Sequence, residues 1–156
     1  MTDSISARIA ELGLTLPEAA APVAAYVPTL EVGGLLFISG QISFAPDGSR
    51  ITGTLGKDMD VAAGQQAAER CGLMLIAQMQ KALGSLDRVE RIVKLGAFVA
   101  STPDFTDQPK VANGASELME KVFGEAGRHT RSAVGVPVLP LGAAVEVDAI
   151  IAVKAS

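Results

Sequence analysis

Residues Ala144 to Val153 constrain this chain more than any other stretch. Val145, Val147, Ala149, Ile151 and Val153 fall on one face of an extended segment, and Glu146, Asp148, Ile150 and Ala152 fall on the other. Alternation with a period of two is the signature of a β-strand. A strand that faces water on one side carries polar residues there. Here neither face is strongly polar beyond Glu146 and Asp148. The sheet that contains this strand therefore needs cover on both sides, and a homo-oligomer supplies it.

Composition points the same way. The chain has 25 alanines and 16 glycines, one Tyr and no Trp. Small apolar residues bury little area each, yet the mean hydropathy is +0.35. Either much of the chain is buried or a partner covers apolar surface. The length of 156 residues suits one domain, since domains cluster near ~100–150 residues. No run approaches the ~20 apolar residues of a spanning helix, and Met1-Thr2-Asp3-Ser4 does not open a secretory leader. The expectation is a cytoplasmic protein with no membrane partner. A net charge of -4 argues against nucleic acid, whose binding depends on neutralising phosphates.

The rest of the chain reads as alternating elements. Ser4 to Leu12 is a short helix, capped by Ser4 and stopped by Gly13. Leu16 to Ala25, with Pro17 and Pro22, is an irregular connection. Tyr26 to Val32 and Leu35 to Ile42 are strands joined by Gly33-Gly34. Arg50 to Thr54 is a short third strand. Asp60 to Leu83 is a long helix with Asp60 as its cap and a stripe of Ala68, Cys71, Leu75, Met79 and Ala82. Gln78 lies largely off that stripe. Arg91 to Ser101 is a strand, Gln108 to Phe123 a second long helix, and Ser132 to Val138 and Ala144 to Val153 two more strands. The expected fold is α+β, with one mixed six-stranded sheet, two main helices on one face and a short N-terminal helix.

Several chemistries find no support. Gly53-Thr54-Leu55-Gly56-Lys57 has the wrong spacing for a phosphate loop, and no G-x-G-x-x-G or G-x-S-x-G occurs. One Cys and one His cannot build a zinc site. Cys71 reads as a small buried hydrophobe, and Arg128 and His129 as solvated loop residues. Arg131 differs, because it opens an apolar run. A partly buried guanidinium needs a partner, and its planar fork suits a carboxylate, internal or from a ligand. Glu146 is costly inside AAVEVDAII unless paired. If the last two strands form a hairpin, Arg131 and Glu146 share a face and can pair with each other. Ser39-Gly40-Gln41 ends an apolar strand where backbone can approach a ligand closely.

Together, Ser39-Gly40-Gln41, Ile92-Val93-Lys94, Phe98-Val99, Asp104-Phe105, Arg131-Ser132, Leu139-Pro140 and Val145-Glu146-Val147 resemble the YjgF/RidA family, also labelled endoribonuclease L-PSP. The likeness runs from about Tyr26 to Val153, and 1–156 reads as a single domain of that type, with 1–25 as its N-terminal helix and connection. The resemblance implies a chorismate-mutase-like fold and a homotrimer with ligand clefts between adjacent subunits. It implies hydrolysis of small reactive 2-imino acids to 2-oxo acids and ammonia, with no metal and no cofactor. By the same resemblance, Arg131 grips the substrate carboxylate and the Ala133 backbone N–H supports it. Glu146 orients the attacking water. Tyr26 comes from a neighbouring subunit, and Gly40 and Asn113 line the cleft. This chain departs from the pattern in His129-Thr130 before Arg131, where relatives have Pro-x, in a longer segment at Thr106 to Lys110, and in its N-terminal helix. These traits mark a longer subgroup. The alternatives are a non-catalytic binder of small carboxylates or 2-oxo acids and, behind it, an endoribonuclease.

Overall fold

A computed structural model describes residues 3–22 and 24–155. Met1 and Thr2, part of the leader argument, and Val23, within the 16–25 connection, lie outside the described residues. The chain forms α1 (Ser4–Glu11), β1 (Thr29–Val32), β2 (Leu35–Ile42), α2 (Val61–Leu83), β3 (Val89–Ala100), α3 (Gln108–Phe123), β4 (Thr130–Val136) and β5 (Val145–Val153), with short 3-10 turns at Leu86–Arg88, Gly124–Gly127 and Pro140–Gly142.

The sheet order is β1-β2-β5-β3-β4. It has five strands among the described residues, not six. The expected strand at Arg50 to Thr54 makes only isolated bridges, Phe44 with Arg50 and Thr52 with Ala143. Gly53, at φ 149, turns the chain away and sends Leu55 into the core, where it is fully buried. The first strand begins at Thr29 rather than Tyr26, because Pro28 has no N–H to give a ladder. Ser39 instead ties down the lead-in segment, its N–H donating to Pro28 O at 2.9 Å and its hydroxyl to Val27 O at 2.9 Å.

β4 and β5 are not a hairpin. The 16 residues of α3 cross over from β3 to β4, and such a crossover makes parallel neighbours. β4 accordingly pairs β3 in parallel, with Leu95 opposite Arg131. β5 then takes the other side of β3, antiparallel, with Leu95 opposite Ala149.

Both long helices lie on one face. α2 starts at the expected cap, Asp60 accepting from Ala63 N at 2.8 Å, whereas Asp3 rather than Ser4 caps α1, accepting from Ser6 N at 2.7 Å. Ala68, Cys71, Leu75 and Met79 are buried as their spacing predicts. Ala82 is exposed and Gln78 is buried, against expectation. Gln78 pays for its burial with hydrogen bonds, donating to Ala20 O at 2.8 Å and to Gln41 Oε1 at 3.3 Å. That network draws the irregular 16–22 connection across the end of the sheet. Among the described residues, no helix covers the opposite sheet face. Phe37 and Val134 there are 40% and 46% exposed, and a shallow concavity of about 760 Å³ runs over Phe37, Phe98, Asp148 and Ile150.

Candidate functional site

The residues singled out from sequence fall into two groups. The first gathers around Arg131. Odd-numbered Arg131 and Ala133 of β4 are less exposed than their even neighbours, and Ala133 packs against the main core. Their side chains therefore face the helix layer. Pro109, Asn113 and Ser116 lie along one face of α3, four and three residues apart, and meet the guanidinium there. Arg131 Nη1 donates to Asn113 Oδ1 at 2.9 Å and to Ser116 Oγ at 3.1 Å, and Nη2 reaches Pro109 O at 3.4 Å. All three acceptors are neutral. Among the described residues no carboxylate lies within ion-pair distance of Arg131. Of the five guanidinium N–H groups, Nε–H and one on Nη2 make no protein hydrogen bond among the described residues.

The backbone adds a donor beside that cation. Ser101 N donates to Val136 O, so even-numbered residues of β4 turn their polar backbone toward β3. Ala133, one residue out of phase, turns its N–H to the free edge of the sheet.

The second group gathers around Glu146, on the bare face. Tyr26, Gly40, Ile42, Pro140, Leu141 and Glu146 line a pocket of about 340 Å³, closed on one side by Ala20, Ala21 and Ala24. The lining is apolar apart from Glu146, Gln41 and the Tyr26 hydroxyl. Glu146 has no hydrogen-bond donor and no ion-pair partner among the described residues. Burial, and then the charge of Asp148 two residues along the same face, raise its carboxyl above the ordinary range. Asp148 is raised as well, by burial, although the Gly96 N–H and Lys94 oppose the shift.

Arg131 and Glu146 do not pair. β3 separates their strands, Leu95 lying beside Arg131 and Phe98 beside Glu146, and their side chains leave opposite faces of the sheet. The shared face expected from a hairpin fails for that reason. Asn113 joins Arg131, and Tyr26 and Gly40 join Glu146. Ser116 was missed, although its spacing of three from Asn113 puts both on one helix face. His129 is half-buried rather than solvated, with both ring nitrogens bonded. Cys71 is buried and its thiol is pushed far up by burial. No group of three or more His, Cys, Asp or Glu is placed to hold a metal among the described residues, and no helix there is long and apolar enough to cross a membrane.

A mixed five-stranded sheet with two helices on one face defines a chorismate-mutase-like α+β protein. The chain belongs to the family described as YjgF/chorismate mutase-like, putative endoribonuclease, which matches residues 6–152. It is 53% identical over 148 residues to Protein TCP17 of Trypanosoma cruzi, covering 94% of this chain and 92% of that protein. A crystal structure of a putative endoribonuclease from Shewanella oneidensis superposes with a TM-score of 0.93 at 34% identity, covering 97% of this chain and 100% of that one. Escherichia coli TdcF with bound serine matches at 27% identity and a TM-score of 0.62, covering 88% of this chain and 94% of that one.

Proposed function

We propose that this protein hydrolyses small reactive 2-imino acids to 2-oxo acids and ammonia, acting as a cytoplasmic homotrimer without a cofactor. The observation that carries the reading is the Arg131 guanidinium, held by three neutral acceptors with two N–H groups left for a ligand. A cation arranged in that way is built to receive a carboxylate in two parallel hydrogen bonds. The Ala133 N–H at the same edge supplies a third donor.

Glu146 serves as the base. A carboxyl raised toward neutrality is better matched to proton transfer near pH 7 than an ordinary one. Water oxygen bonds to the imine carbon as Glu146 takes its proton, and the C=N electron pair moves to nitrogen. Glu146 then returns that proton to the nitrogen, which leaves as ammonia as the C–N bond breaks, while the hydroxyl passes its proton back to Glu146 and its electrons form the carbonyl. The iminium carbon is already electrophilic, so placement of acid anchor and water supplies most of the catalysis. Because Arg131 and Glu146 leave opposite faces, one molecule can touch both only across a junction of two copies. Gly40 and Tyr26 would then complete the cleft from the Glu146 side, and Asn113 from the Arg131 side.

The serine bound to TdcF favours a second reading, a carboxylate-binding protein without turnover. The two separate cleanly. The assay follows loss of 2-iminopropanoate generated by an amino-acid oxidase. Deamination should be faster with the protein, abolished by Arg131→Ala and abolished by Glu146→Gln. Tight binding of a 2-oxo acid by both wild type and Glu146→Gln, with no acceleration by either, decides for the binding protein. Ribonuclease activity has less support, since a pI near 5.0 leaves no basic stripe for phosphates.

A further inference from the structure

We infer that His129 and Ser116 are positioning residues that orient the Arg131 guanidinium through a directed hydrogen-bond relay; this rests on Arg131 being the carboxylate anchor proposed above. His129 Nδ1 lies 2.6 Å from Gly127 O, and its Nε2 lies 2.8 Å from Ser116 Oγ. Ser116 Oγ in turn lies 3.1 Å from Arg131 Nη1. Gly127 O can only accept, so Nδ1 is the ring nitrogen that donates. In the neutral ring Nε2 then holds a lone pair, which accepts the Ser116 O–H. With its proton committed to His129, the serine oxygen presents its lone pairs to Arg131. Every donor along the line points one way, from the guanidinium to the Gly127 carbonyl.

The far end is fixed. Gly127 is buried against the Met119 carbonyl with no room for a Cβ, and Arg91 Nη2 clamps the same turn, donating to Glu125 O at 3.0 Å and Arg128 O at 2.8 Å. The relay therefore ties the guanidinium plane to the rigid contact between α3 and the turn. Asn113 Oδ1 takes the other Nη1 proton, so both hydrogens of Nη1 are held and Nε–H and one Nη2–H are left for a ligand. Without the imidazole acceptor, the Ser116 hydroxyl is free to rotate its proton toward Arg131, and the plane loses one of its two anchors.

The test uses the intact protein. His129→Ala and Ser116→Ala should each raise the KM for 2-iminopropanoate and weaken binding of 2-oxopropanoate about tenfold, the order expected for losing a hydrogen bond to a charged group, with kcat changed less than about twofold. His129→Gln, whose amide oxygen can accept from Ser116, should restore most of the affinity. Nitrogen-15 NMR of the wild-type ring should show the Nδ1–H tautomer, a readout that requires no variant to fold. An Nε2–H tautomer, or unchanged affinity in both alanine variants while Arg131→Ala abolishes binding, overturns the relay alone. Unchanged affinity in Arg131→Ala removes the carboxylate anchor and the relay with it.

Discussion

Gly40 lies directly beneath the Glu146 carboxylate, leaving no space for a side chain of its own while that carboxylate stays in place. A Cβ built on Gly40 would stand 2.8 Å from Glu146 Cδ and 2.9 Å from its Oε2. The bulge in β2 between Ile38 and Gln41 brings the backbone to that point, and Ile42 pairs directly with Glu146. Glycine there makes room for the carboxylate rather than serving an unusual φ.

Gly40→Ala should therefore push the Glu146 carboxylate out of its pocket. The atoms it meets are the far end of a flexible side chain, so the stability should change little, whereas displacement of a catalytic group lowers kcat roughly tenfold or more. Thermal unfolding and deamination kinetics measure the two effects separately. Full activity in Gly40→Ala would count against Glu146 as the base.

The pH dependence of stability follows from the same carboxylate. Folding raises the Glu146 carboxyl, through burial and then Asp148. The native state thus binds more protons than the unfolded chain over the window above the ordinary glutamate value, and stability falls as pH rises through it. Glu146→Gln removes that cost. The variant should melt higher than wild type at pH 7, the gap should close below about pH 4, and deamination should be lost throughout. A variant that melts lower at pH 7 contradicts the cost of keeping this carboxylate charged.

How much of this was legible in the chain depends on range. The α2 stripe at Ala68, Cys71, Leu75 and Met79 follows from periodicity, which is local. So does the two-faced strand that carries Glu146. The partners of Arg131 were not legible, because they depend on which strand β4 joins. A hairpin with β5 and a crossover to β3 are equally compatible with the strand pattern alone, and they send Arg131 to opposite faces. The 16-residue helix between β3 and β4 was the available clue. Gln78 was misplaced because α2 is covered by the sheet, α3 and the 16–22 connection at once, so its middle has no exposed face.

The crossing of α2 and α3 offers a sharper test of packing. Gly114 lies against the Gln65 carbonyl, where a Cβ would collide with backbone and come within 3.0 Å of Gln65 Cα. On an open helix, Gly→Ala stabilises by ~0.5–1 kcal/mol. Gly114→Ala should instead destabilise by about 1–3 kcal/mol, because a backbone carbonyl cannot swing aside. Denaturant unfolding decides the sign.

Cys71 should be inert in the native protein. It is fully buried, its thiol donates to Val145 O at 3.4 Å, and burial together with Glu146 pushes its ionisation upward. The thiolate is the reactive form. Iodoacetamide should label Cys71 only after unfolding, at a rate set by opening of the α2–sheet core. Rapid native labelling would mean that this core opens readily.

The bare sheet face carries the last prediction. Val134 and Phe37 are half-exposed on it, and Phe98 lies between them. Large exposed apolar patches are rare on monomers, and on the proposed mechanism the two halves of the site come together between copies. Placing a charge there, as in Val134→Asp, should break the assembly while leaving the core between helices and sheet intact. Sedimentation should show wild type at three times 16.0 kDa and the variant at one. The monomer should lose deamination, because its Arg131 no longer shares a cleft with another copy's Glu146. An active monomer would overturn the shared-cleft reading.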